Sequence, residues 1–144
     1  MKVFVPVFGA LFFLFINAVS AKYTIDTIDY WHIFYNNKMV GKFNEVTKNP
    51  SIVIKSDEVK LNDFIKIQYG DDTPDKTIST GIYVLANQKK VILSEGKGTG
   101  TPLKITLKEI VDVADRNHCD FLDFYYFDSG KRNKLIFTLK LLKK

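Results

Sequence analysis

Three aspartates, Asp71, Asp72 and Asp75, crowd into the stretch Gly70-Asp71-Asp72-Thr73-Pro74-Asp75. A hard cation such as calcium takes roughly six to eight oxygen ligands. The stretch offers three carboxylates, the Thr73 hydroxyl and backbone carbonyls, but not the EF-hand spacing. Aspartate is also an ordinary turn residue, so a solvated loop accounts for the same letters. These three residues are the candidate metal ligands.

His118-Cys119 is the other pair with reactive side chains. Together with His32 and Met39 it makes up the minimum inventory of a blue-copper site, two His, one Cys and a weak axial Met. The order is unsuitable, because no His or Met follows Cys119 to close the ligand loop. A cysteine nucleophile needs a histidine base within hydrogen-bond reach. Neighbouring residues of a strand point to opposite faces, so His118 could serve Cys119 only from a turn. The plainer expectation is a buried thiol at the start of a core strand. A hydrolase would have to join His32 or His118 to the acidic loop in one cleft. No cofactor is expected.

The run Gly96-Lys97-Gly98-Thr99-Gly100-Thr101-Pro102 invites comparison with phosphate loops. A Walker loop ends in Gly-Lys-Ser/Thr, so that the lysine and hydroxyl reach phosphate and metal. Here Lys97 precedes the second glycine, and Pro102 with a β-prone run stands where a dinucleotide loop needs a helix. A structural turn or bulge is the expectation.

What remains is an excess of aromatic residues, 14% of the chain. In Tyr30–Tyr35, Trp31, Ile33 and Tyr35 alternate with Tyr30, His32 and Phe34. In Phe121–Phe127, Phe121, Tyr125 and Phe127 alternate with Leu122, Phe124 and Tyr126. A strand apolar on both faces is either central in a two-sided core or turns one face to a partner. Trp31, Phe34, Tyr125 and Tyr126 are therefore the candidate binding residues.

The elements that would position these residues are short β-type runs between turn residues. Tyr30–Tyr35 and Met39–Phe43 flank Asn36-Asn37-Lys38, a hairpin signature. Further strands are expected at 51–55, 64–69, 77–85, 90–94, 121–127 and 135–142. In the last, Leu135, Phe137, Leu139 and Leu141 are expected to share one face. Between 103 and 108 the strand and helix patterns compete, and a short strand running into about two to three helical turns is expected. Thr106 and Glu109 have capping-box spacing. Leu107, Ile110, Val111 and Ala114 then form one helical face, and Asn117 is expected to end the helix in a left-handed conformation. The pattern predicts a mainly β fold, an antiparallel, immunoglobulin-like β-sandwich of about seven to eight strands, with one short helix near 107–116. A small barrel is the alternative.

The chain opens with Met1-Lys2, an apolar run from Val3 to Ile16, and Asn17-Ala18-Val19-Ser20-Ala21. A basic start, an apolar middle and small residues at the cut make a secretory signal peptide. Cleavage is expected after Ala21, or else after Ser20, leaving residues 22–144 as one domain. Removing 21 of 144 residues takes one lysine with it, so 20 basic residues face 16 acidic ones. That balance is ordinary for solubility, and no clustered basic run marks a nucleic-acid arm. A single cysteine allows no internal disulfide. With the Lys, Asn and Ile richness, this points to a bacterial periplasmic or secreted protein rather than an animal extracellular one. No second apolar run of membrane length exists. The expectation is an exported, non-enzymatic binding domain, its partner another envelope or secreted protein or a glycan. A hydrolase or a calcium-binding domain built on 71–75 is the alternative. It is expected to be a monomer or an edge-paired dimer.

Overall fold

The computed structural model describes residues 28–70 and 72–143. The expected signal peptide and Asp71 lie outside the described residues. Nine strands and one helix follow in the order β1 (Tyr30–Tyr35), β2 (Lys38–Asn44), β3 (Ser51–Lys55), β4 (Phe64–Gly70), β5 (Ser79–Ala86), β6 (Lys89–Lys97), β7 (Leu103–Thr106), α1 (Leu107–Arg116), β8 (Phe121–Asp128) and β9 (Asn133–Leu142). They form two sheets. Sheet A has the order β2-β1-β4-β7 and sheet B the order β3-β9-β8-β5-β6. The pairs are antiparallel apart from β3 with β9. The molecule is mainly β, with the two-sheet organisation of a sandwich. The short strand expected ahead of the helix is Leu103–Thr106, and with it the described strands number nine, one more than the expected seven to eight.

Turn chemistry sets the hairpins. Asn87 and Gln88 both have positive φ, 48° and 67°, as a type I′ turn between β5 and β6 requires. Asn36 has φ 53° at the β1–β2 turn, and its side chain ties that turn to β4 by accepting from the Phe64 amide at 3.0 Å. The glycine run is a structural turn. Gly98, with φ +90°, donates its amide to Ile78 O at 2.8 Å, and buried Thr99 accepts from the Asp75 amide at 3.0 Å.

The helix begins where the capping signal placed it, with Thr106 Oγ1 accepting from the Glu109 amide at 3.3 Å. Its fully buried face is Leu107, Ile110, Val113 and Ala114, and Val111 is only partly buried. Its end departs from expectation. Asn117 has φ −102°, and His118, with φ 50°, is the left-handed residue. The Cys119 amide reaches Ala114 O at 3.0 Å and the His118 amide reaches Asp115 O at 3.1 Å. Those two bonds make a Schellman motif, which takes up carbonyls that the helix end would leave unpaired.

The core lies between the inner sheet faces. Trp31 and Ile33 from β1 and Ile65, Ile67 and Tyr69 from β4 meet Ile82 and Val84 from β5, Phe124 and Tyr126 from β8, and Phe137 and Leu139 from β9. Phe124 stacks on Phe137 with ring centroids 4.6 Å apart. One end of the sandwich is closed by charge. Arg132, in the β8–β9 turn, pairs with Asp128 at 3.0 Å and Asp29 at 3.6 Å and lies over the Tyr69 ring, while Tyr69 Oη bonds Asp29.

Candidate functional site: the two outer sheet faces

Among the candidate binding residues, the structure separates inward from outward. Trp31 is 1% exposed and Tyr126 2%, both in the core, so as placed they present no surface to a partner. Phe34 and Tyr125 are half-buried and lie on opposite outer faces, Phe34 on sheet A and Tyr125 on sheet B. The four residues do not converge.

The outer face of sheet B carries an apolar row. Tyr83 of β5 pairs with Tyr125 of β8 on one side and Ile92 of β6 on the other, and Tyr125 pairs in turn with Leu135 of β9. Leu135, Tyr125, Tyr83 and Ile92 therefore cross four strands in one line, in which Tyr83 is covered and only 6% exposed, so that Leu135, Tyr125 and Ile92 supply the accessible surface. The two tyrosine rings stack with centroids 4.9 Å apart and planes 3° apart. The Tyr83 hydroxyl donates to Asn133 Oδ1 at 2.8 Å, and Lys90 Nζ sits 4.1 Å above the Tyr83 ring. Phe127 lies beside them, flat over Gly81. A Cβ on Gly81 would stand 2.4 Å from Phe127 Cζ and 2.9 Å from the Ser94 carbonyl.

Two β-bulges create this row. The register of β5 with β6 shifts between Ile82 and Tyr83, and that of β8 with β9 shifts between Phe124 and Tyr125. Each bulge leaves one extra residue, Leu93 in β6 and Ile136 in β9, and buries it at 9% and 1% exposure. A bulge re-aims the side chains around it. Ile92 and Leu135 consequently remain outward, 51% and 47% exposed. The expectation that Leu135 shares a face with Phe137, Leu139 and Leu141 fails for this reason. Open clefts of about 490 Å³ adjoin both ends of the row. One includes Pro50, Leu135 and Thr138, the other Lys90, Ile92 and Arg116. Charges of both signs surround the row, Lys90, Glu95 and Asp123 among them. Burial, with Asp123 nearby, pushes the Tyr125 hydroxyl above its ordinary pKa.

The outer face of sheet A is different. Tyr30, His32 and Phe34 run along β1 as a ring ladder, with centroid separations of 5.1 and 6.4 Å. Tyr30 lies flat over Gly70, whose Cβ would stand 1.9 Å from the ring. Three ammonium groups cap rings on this face: Lys42 over Tyr30 at 5.5 Å, Lys66 over Phe34 at 4.5 Å and Lys104 over Phe64 at 3.9 Å. Lys66 and Lys104 are directly paired across β4 and β7. Burial first, and Lys42 second, hold the His32 pKa below its ordinary value.

The reactive residues fall elsewhere. His32 sits mid-strand among rings and Lys42. His118 caps the helix. Cys119 is buried, its Sγ pointing to Ala114 O at 3.8 Å, and burial pushes its pKa up, so the thiol stays protonated and weakly nucleophilic. Asp75 Oδ1 accepts from both the amide and the hydroxyl of Thr77, at 2.7 and 2.6 Å, which pulls its pKa down and commits it to its own turn. Among the described residues no three His, Cys, Asp or Glu side chains group as metal ligands, and no helix is long and apolar enough to cross a membrane.

Sequence reasoning missed Tyr83, Ile92 and Leu135. Each sits in a β-prone run, but the bulges that turn the last two outward leave no letter-level signal. The chain matches no family model, no curated protein and no solved structure with which it was compared.

Proposed function

We propose that this chain is an exported, non-enzymatic binding domain on an immunoglobulin-like sandwich, and that it docks a protein partner on the outer face of sheet B. The observation that carries the reading is the row Leu135–Tyr125–Tyr83–Ile92, held outward by two bulges at one level of the sheet. Two bulges interrupt two ladders, and the result is an apolar line that ordinary alternation would break. Aromatic centres with charged rims are the composition of protein interfaces, and both signs of charge are present around this row. Its clefts would receive protruding partner side chains. Two facing sheets with a tryptophan buried on a central strand support the immunoglobulin-like assignment. The export reading rests on residues 1–21.

Calcium binding by Asp71, Asp72 and Asp75 remains the alternative, but Asp75 is already satisfied by Thr77. The test is capture of partners from the envelope and secreted fractions of the source cells, read by mass spectrometry, with the wild type beside Leu135→Asp/Ile92→Asp. A partner lost only in the double variant supports the proposal. Equal recovery by both chains overturns it.

A further inference from the structure

The outer face of sheet A carries a second, chemically distinct surface. Its ring ladder is continuous, and alternate positions of a strand advance by about 7 Å, so Tyr30 to Phe34 spans about 14 Å. One side of the Tyr30 ring is closed by the Gly70 backbone, and the Lys42 ammonium stands 5.5 Å from the centroid of that ring. Every side chain on the outward positions of these four strands that is charged at neutral pH is a lysine. Lys42 pairs with His32, and Lys66 with Lys104. No outward position among them holds a carboxylate. Asp29 and Asp63 are turned to bonds with Tyr69 and Tyr35, and Glu45 pairs with Lys134 of β9.

Like charges directly opposite on neighbouring strands destabilise a sheet. The Lys66–Lys104 pair is present nonetheless, each ammonium placed over its own ring. An anion between them would remove the repulsion and gain charge-assisted hydrogen bonds. Flat rings beside cations suit a ligand that offers apolar C–H faces and regularly spaced negative groups. A single-stranded nucleic acid also pairs phosphates with faces that stack on aromatic rings; a glycan is the polyanion that an exported chain meets, and oligothymidylate serves as the comparator for the other. Membrane insertion would need apolar side chains standing proud, and here the rings are half-buried and Met39 is the exposed exception.

We propose that the outer face of sheet A docks a linear anionic glycan, its sugar rings along Tyr30, His32 and Phe34 and its sulfates or carboxylates on Lys42, Lys66 and Lys104. This site is independent of the sheet B row.

The test is binding of the full chain, expressed with residues 1–21 in place and purified as the cell releases it. The probes are fluorescent dextran sulfate and polygalacturonate, with neutral dextran, oligothymidylate and phosphatidylglycerol vesicles as comparators. Three variants accompany the wild type: Lys66→Gln/Lys104→Gln, the charge-matched control Lys48→Gln/Lys89→Gln off this face, and Phe34→Thr. Circular dichroism confirms that each is folded. The expected result is binding to at least one anionic glycan and at least tenfold tighter than to neutral dextran. Lys66→Gln/Lys104→Gln and Phe34→Thr should each weaken it by about tenfold, and the control by no more than about twofold. The preferred glycan identifies sulfate or carboxylate as the recognised group. Binding to neither glycan, an equal loss in the control, or tighter binding to oligothymidylate or vesicles overturns the proposal.

Discussion

The two outer faces are built from similar side chains and differ in what surrounds them. On sheet B stacked tyrosines lie between exposed aliphatic residues, inside a rim of both charge signs. On sheet A tilted and edge-on rings lie under lysines alone. The first arrangement excludes water over a patch and suits another folded surface. The second concentrates one sign of charge over flat rings and suits a polyanion. Aromatic content by itself therefore says little about a ligand. The charge pattern around the rings, fixed by strand register, carries the distinction.

The largest effect should separate inward from outward positions on one strand. Trp31→Ala empties a core site and should cost about 3–5 kcal/mol in denaturant unfolding. Phe34→Ala, three residues on and facing outward, should cost only about 1 kcal/mol. Similar losses would show that β1 does not turn its faces as described.

A smaller effect distinguishes the two ring-covered glycines. Gly81→Ala pushes a Cβ against the Ser94 carbonyl as well as the Phe127 ring, and backbone cannot swing aside. It should cost about 1–3 kcal/mol. The nearest atoms to a Cβ in Gly70→Ala all belong to the Tyr30 ring, which can rotate outward, so it should cost less while disrupting the ladder on sheet A. The reverse order in thermal melts would contradict the packing described for both faces.

The strands at the centre of this comparison were largely legible in the sequence. Alternation in Phe64–Tyr69 placed Ile65, Ile67 and Tyr69 inside, and Thr106 and Glu109 marked the helix start. Alternation also paired Phe121 with Tyr125 and Phe127. It could not say which of two apolar faces is wet, because that depends on which strands pair. Nor could it locate the bulges, since Ile92-Leu93 and Leu135-Ile136 contain only apolar β-branched or leucine residues that fit either side. Half of the sheet B row was hidden for that reason. The parallel pairing of β3 with β9 joins segments more than 80 residues apart, and local pattern carries no signal for it. The left-handed His118 was missed because asparagine is the commoner residue there.

The smallest effects concern charge on sheet A. Lys104→Glu converts a like-charge pair with Lys66 into an opposite one and should stabilise the fold by about 0.2–1 kcal/mol, while weakening anion binding. A loss of stability would contradict the repulsion inferred for Lys66 and Lys104. His32 supplies a pH test. Its native pKa lies below the ordinary value because burial and Lys42 disfavour the imidazolium. As pH falls through about 6.5, the unfolded chain takes up the proton first, so stability should decline. His32→Phe should flatten that part of the stability profile against pH, and an unchanged slope would place its source elsewhere.

The most direct test of the account is comparative partner capture, with the wild type, Leu135→Asp/Ile92→Asp on sheet B and Lys66→Gln/Lys104→Gln on sheet A set against the same cell fractions. The account predicts a protein partner that is lost with the sheet B variant and retained with the sheet A variant. A partner recovered equally by all three chains, or lost only with the sheet A variant, would contradict the assignment of the bulge-made row as the protein-docking face.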